Sequence, residues 1–324
     1  ATNSSVTIQA GDDTALLFLG GTGTSGSLVN SQGTATFDNS TVVINSDSTG
    51  AGSAVLNVGR NGNGGTSTLN VNNGSTITLT NNAASTGSES LTVGRNNTIG
   101  FMNVDASTVT SGDFVSVGRD GGTGTLSITN GGSVDNDNLT GLARIGRSGG
   151  TGTLNVTGAL SQFSSNRLEI GRDGGSTGTV NVNTGGTINT TDSVQIGRDS
   201  TSSGTLNIDA SGVLNAHTAI VATNTGSTGT ANVSGAGAQL NLTGVFPTTG
   251  TDQDGAVILV GRNGTGTLNV NTGGVVTVAP GTPVGTGTSG GMVIGGSSSS
   301  PTGTGDGTVI VDGVGSSIVF SNVN

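Results

Sequence analysis

The stretch Val115-Ser-Val-Gly-Arg-Asp-Gly-Gly-Thr-Gly-Thr-Leu-Ser-Ile-Thr-Asn-Gly-Gly-Ser-Val134 decides the fold. It holds three short alternating segments separated by Gly, Asn and Asp. Val115 and Val117 form one inward pair, Leu126 and Ile128 a second, and Val134 begins a third. Alternation with a period of two among β-branched and aliphatic residues, bounded by turn formers, is the pattern of strands, and no helical spacing is sustained in it.

The stretch recurs. Gly-Arg preceded by Val or Ile stands at Arg60, Arg95, Arg119, Arg147, Arg172, Arg198 and Arg262, with degenerate copies at Leu19-Gly20, Val221-Ala222 and Ile294-Gly295. The basic period is about 25 residues, which is too short for a propeller blade or an immunoglobulin-like unit. Three strands of this length cannot bury a face alone, so successive units stack, each strand pairing in parallel with its equivalent about 4.8 Å away. The predicted fold is all-β: a parallel β-solenoid, a right-handed three-faced β-helix of about ten coils. It forms one domain over 1–324, with regular repeats over 54–278 and divergent ends at 1–53 and 279–324. Longer spacings fit excursions at Asn81–Ser90, Gly244–Gly255 and Ala279–Gly291, and Pro247, Pro280, Pro283 and Pro301 fall in or beside such stretches, where no ladder hydrogen bond is required.

The composition becomes positional on this reading. Of 324 residues 62 are Gly and only 7 are aromatic, all Phe. Glycine serves corners and close approaches, and a narrow interior takes stacked Val, Leu and Ile. Cysteine and lysine are absent, so neither a disulfide framework nor a thiolate metal site is available. A net charge of −10 argues against nucleic acid as a partner. The longest apolar runs, such as Ala15–Leu19 and Ala256–Val260, are far short of the roughly 20 residues of a membrane-spanning helix, so no membrane insertion is expected in this segment. The start at Ala-Thr-Asn-Ser-Ser, without Met, suggests a chain processed after secretion.

Two side-chain columns stand out. Stacking places the seven Arg about 5 Å apart, a repulsion of about 1 kcal/mol per neighbour even in water. Asp120, Asp173 and Asp199 directly follow Arg119, Arg172 and Arg198 and are placed to interleave. A structural ladder at a coil corner is expected, the chain bending at Gly59 and its equivalents to turn the charge outward; an anion-binding groove is the alternative. The second column is Thr-x-Thr before each Leu-x-Val strand: Thr66 and Thr68, Thr123 and Thr125, Thr151 and Thr153, Thr177 and Thr179, Thr228 and Thr230, Thr265 and Thr267. These face outward, extended by Asn70, Asn155, Asn181, Asn207, Asn232 and Asn269. Exposed Thr suits strands in general, and a flat Thr array also permits an ice-binding surface.

Chemistry-bearing constellations are sparse. The Gly-rich runs Asn61–Gly65 and Asp120–Gly124 lack the acidic spacing of calcium repeats, and Asp252-Gln-Asp254-Gly is a fragment of a calcium loop without its remaining ligands. No cofactor is expected, calcium being the one metal the pattern suggests. A polysaccharide-cleaving β-helix enzyme needs clustered carboxylates in a cleft; Asp135-Asn-Asp137 and Asp12-Asp13 read as turn residues, and His217 as a lone surface histidine. No catalytic residue is assigned.

The string Ile-Gly-Arg-x-Gly-Gly-Thr-Gly-Thr-Leu-Asn-Val, at Ile145–Val156 and nearly again at Ile170–Val182, resembles the repeat of autotransporter passengers and of PEP-CTERM-associated surface proteins. The resemblance covers about Ala54 to Val278. It implies an extracellular or cell-surface solenoid of a Gram-negative bacterium with adhesive or structural roles, though this chain carries no C-terminal membrane barrel and no Pro-Glu-Pro sorting tail. The expectation is therefore a non-enzymatic, adhesin-like or structural protein meeting cell-surface or matrix glycans. The close alternative is a subunit of a filament, an end-to-end homopolymer, because both ends of the chain read as strands (Val6–Ile8 and Ile318–Phe320) and uncapped coils are open sheet edges.

Overall fold

The computed structural model describes residues 1–10, 14–21, 32–46, 52–61, 64–81, 89–136, 141–244, 258–279, 291–296 and 305–321. Among these residues there is no helix. The protein is a three-faced parallel β-solenoid of about ten coils, each contributing one strand to each of three sheets. In the coil quoted above, Phe114–Arg119 lies in sheet I, Thr123–Thr129 in sheet II and Ser133–Asn136 in sheet III. The excursion Gly244–Gly255, the four prolines, Asp12-Asp13, Asp137 and Asp252-Gln-Asp254 lie wholly or almost wholly outside the described residues.

Contacts group the chain into two compact units, Ala1–Asn166 and Arg167–Asn324. Within the first, sheet II keeps its register residue for residue, while sheet I shifts by one residue between Phe114 and Val115. Thr123 to Thr129 pair with Thr151 to Thr157, so Leu126 lies on Leu154 and Ile128 on Val156, all fully buried. In the second, Val182, Ile208, Val233 and Val270 form an equivalent stack. Each such side chain contributes about 1.5–3 kcal/mol by leaving water, and its size is matched to a rung only 4.8 Å deep.

The corner between sheets I and II explains much of the glycine. Gly118 has φ +69°, and a Cβ there would stand 1.9 Å from the Thr151 carbonyl oxygen. The middle Gly of Thr-Gly-Thr is buried and faces inward: a Cβ on Gly152 would lie 2.1 Å from Val117 O and 2.3 Å from Gly146 N. In most coils two glycines are thus pressed together with no room for a side chain, Ser67 and Ala222 being the exceptions at the middle and corner positions. The residue after each corner Arg is left-handed in Asn61, Asn96, Asp120, Ser148 and Asp173, four of the five being the Asn or Asp that tolerate this conformation best.

The corner between sheets II and III is short throughout, two to four residues, from Asn39–Ser40 through Asn73–Ser75 to Gly158–Ser161. A serine ladder runs inside it in the first unit, Ser40 N–H donating to Ser75 Oγ at 3.0 Å and Ser75 N–H to Ser107 Oγ at 3.1 Å. Length varies far more at the two corners flanking sheet I, from the single residue His217 to stretches such as 243–257 and 22–32.

Candidate functional site

Most sheet I strands, Ala54–Arg60 to Ile258–Val260, start as alternating segments but are buried on both faces. In Phe114–Arg119 the four residues from Val115 to Gly118 are all buried, including the outward Ser116. The outward middle column runs Phe18, Asn57, Thr92, Ser116, Arg144 in the first unit. In the second it runs Glu169, Gln195, Ile220, Leu259, Val293, the last three forming an apolar cluster on the outer side of the sheet.

The Arg column accounts for part of this cover. Corner glycines at positive φ, 67–78° from Gly59 to Gly261, turn each Arg out of the strand's alternation as expected. The side chains then fold back over the outer face of sheet I and end half-buried. Arg60 stands over the Phe18 ring at 5.1 Å, while Arg172 Nη1 reaches Glu169 Oε2 on its own strand at 3.0 Å. Arg60, Arg95, Arg119 and Arg147 are successive paired rungs in the first unit. In the second, Arg198 follows Arg172, Thr223 takes the next rung and Arg262 the one after.

Relief of the like charges differs along the column. Asp120 interleaves as predicted, its Oδ2 lying 3.0 Å from both Arg95 Nε and Arg119 Nε. Burial lowers the pKa of Arg119; Asp120 opposes that shift, and Arg147 and Arg60 add to it. Asp173 and Asp199 each lie beside the Arg that precedes them, Asp173 3.5 Å from Arg172 and Asp199 3.9 Å from Arg198, and Asp199 also accepts from Asn224 Nδ2 at 2.9 Å. The anion between those two guanidiniums is Glu169, 1% exposed, at 3.0 and 3.5 Å. Sequence reasoning missed it. The available signal was its slot, an acid on the outward position three residues before the corner Arg. The two Arg outside the repeat motif are also placed: Arg144 covers the Phe114 ring at 4.4 Å, and Arg167 donates through Nε and Nη2 to Asp192 Oδ2 at 2.9 and 2.8 Å.

On sheet II the outer Thr123, Thr151, Thr177 and Thr265 are exposed, and Thr125, Thr153, Thr179 and Thr267 half-exposed. In the first unit Ile99 and Phe101 interrupt the rows between Thr66–Thr68 and Thr123–Thr125. In the second, Thr179, Thr205, Thr230, Thr267 and Thr308 form an unbroken row. Beside it lies an amide ladder: Asn207 Nδ2 donates to Asn181 Oδ1, Asn232 to Asn207 and Asn269 to Asn232, each at 2.8 Å. A second ladder, Asn189–Asn215–Asn241, runs on sheet III. Asp135 lies in a sheet III strand, and His217 is an exposed corner residue whose backbone N–H donates to Asp192 O at 2.8 Å.

Over much of the second unit these faces offer the same Thr and Asn groups at the same place, coil after coil. Among the described residues the outer side of sheet I is the most varied, in the mixture of its side chains and in the lengths of its flanking corners, and insertions gathered along one face of a repeat array often mark where it binds. Comparison of the chain with protein-family models, with curated proteins and with solved structures found no match.

Proposed function

We propose that the protein is an extracellular or cell-surface solenoid with a structural or adhesive role and no catalytic activity, holding other surfaces, glycans among them, by many weak contacts. The observation that carries this reading is the in-register repetition of outward side chains, since a ligand that meets one coil weakly meets its neighbours in the same geometry, and linked weak contacts multiply. The resemblance to passenger-type repeats favours the same location and role. The test is retention of the intact protein on surfaces coated with acidic or neutral polysaccharide or with whole bacterial cells. Retention that rises steeply with coating density is expected; retention no better than that of an unrelated acidic protein on every surface refutes the proposal.

A filament subunit is the second reading, favoured by the last described coil. Ile294, Val311 and Phe320 occupy the inward positions of Val260, Val270 and Val278, yet are about half exposed because no further described coil lies on them. Such an edge accepts another coil, including one from a second copy. Electron microscopy at rising concentration distinguishes the readings: end-to-end strings support the filament, and isolated particles throughout refute it.

A further inference from the structure

The first unit contains a cavity of about 240 Å³ on the outer side of sheet I, lined among the described residues by Thr14, Leu16, Ser53, Val55, Asn57, Arg60, Thr92 and Arg95. Asn57 is 1% exposed, and neither its Nδ2 nor its Oδ1 has a hydrogen-bond partner. Leaving a buried carboxamide unpaired on both sides is costly, so its place here calls for a partner that both donates and accepts. Arg60 is the second unmet group. Its Nε is buried and unpaired, and among the described residues it has no carboxylate partner, whereas Arg95 and Arg119 share Asp120. Burial, then the charge of Arg95, lowers the Arg60 pKa, so a bound anion would relieve both.

We infer that this cavity binds a hexuronate, an acidic sugar whose carboxylate meets Arg60 and Arg95 and whose hydroxyls pair with the Asn57 carboxamide. The features select that class stepwise. Two guanidiniums call for an anion. A fully ionised oxyanion such as sulfate accepts from Nδ2 but leaves Oδ1 without a donor, while a sugar hydroxyl supplies one. Thr14, Ser53 and Thr92 add hydroxyls to the lining, Leu16 and Val55 give the apolar edge against which a ring can rest, and the volume suits one ring. The net charge of −10 repels dense polyanions at long range, which favours one carboxylate per sugar over a polyphosphate. The inference deepens the adhesive reading and rests on it only in taking the sugar to be part of a surface glycan.

The test is calorimetric titration of the intact protein with galacturonate and with glucuronate, alongside galactose and sodium sulfate, while the Asn57 side-chain amide is followed by NMR. At least one uronate is expected to bind and shift the Asn57 amide, with galactose and sulfate each at least tenfold weaker. Arg60→Gln, at a half-exposed position, should lose at least tenfold in uronate affinity with an unchanged circular dichroism spectrum; Asn57→Leu should lose it as well, and if that variant does not fold, the Arg60 variant carries the decision. Binding of neither uronate, equal binding of galactose, equal or tighter binding of sulfate, or an unaffected Arg60 variant would each overturn the inference. Free sugars in solution test the cavity without any coated surface, so failure here and failure of the adhesion assay are told apart.

Discussion

Two glycines three residues apart, Gly149 and Gly152, should respond very differently to the same methyl group. At Gly149 a Cβ meets nothing within 4 Å, and the only penalty is its φ of +73°, which costs an L-residue about 1–2 kcal/mol. At Gly152 the backbone is ordinary, but the new carbon would stand 2.1 Å from Val117 O and 2.3 Å from Gly146 N, where ordinary contact begins at 3.4 Å. Two stretches of backbone held in ladders must separate by more than 1 Å, an overpacking that should cost about 3–5 kcal/mol, at the severe end for a single substitution. Because each coil touches only its neighbours, the loss is local and is best read by amide hydrogen exchange resolved to single coils. Gly152→Ala should accelerate exchange in Phe114–Arg119 and Leu142–Thr157 roughly thirtyfold more than Gly149→Ala, the equivalent of about 2 kcal/mol and near the middle of the difference between the two penalties. Equal effects of the two substitutions would refute the close-approach explanation of the corner.

Glu169→Gln removes the buried charge between Arg172 and Arg198 and should destabilise those coils by about 2–3 kcal/mol, less than a fully buried pair because both guanidiniums keep some solvent, measured by urea unfolding; no loss would refute its bridging role. Asp120→Asn should cost about 1 kcal/mol and make stability rise with added salt more steeply than in the unmodified protein, since screening then relieves the unmatched Arg95 and Arg119. Parallel salt dependences of the two proteins would count against the interleaved ladder. In the amide ladder Asn207→Ala breaks two hydrogen bonds and Asn269→Ala one, so thermal unfolding should show losses of about 2 and 1 kcal/mol; an inverted order would show that the ladder contributes little.

How much of this was legible in the sequence follows from where each residue finds its neighbours. The three strands per coil, the aliphatic stacks and the Arg rungs could be read because each depends on alternation or on the repeat period, both carried by the chain itself. Asp120 could be anticipated for the same reason, as it sits beside the Arg that it serves. Glu169 could not be assigned, because the outer slot of sheet I looks like any solvent-facing strand position until the side chains folding back over it are known. The inward Gly of Thr-Gly-Thr was hidden likewise: its need for space comes from Val117, a whole coil away. Thr205 was passed over because Ser203 breaks the Thr-x-Thr pattern, yet the ladder places it squarely in the row, while Ile99 and Phe101 interrupt that row in the first unit.

The short corner between sheets II and III, set against the widely varying corners beside sheet I, has a genetic consequence. Each coil closes these two sheets through a turn of two to four residues and pairs with its neighbours strand for equivalent strand, so duplication or loss of one whole repeat leaves every other rung in place. Deleting Gly171 to Ile196, for instance, joins Ile170 to Gly197 and restores Ile-Gly-Arg at the seam. A gene built this way can lengthen or shorten its product by unequal recombination, coil by coil, and can vary the loops along one side while the scaffold beneath them stays the same.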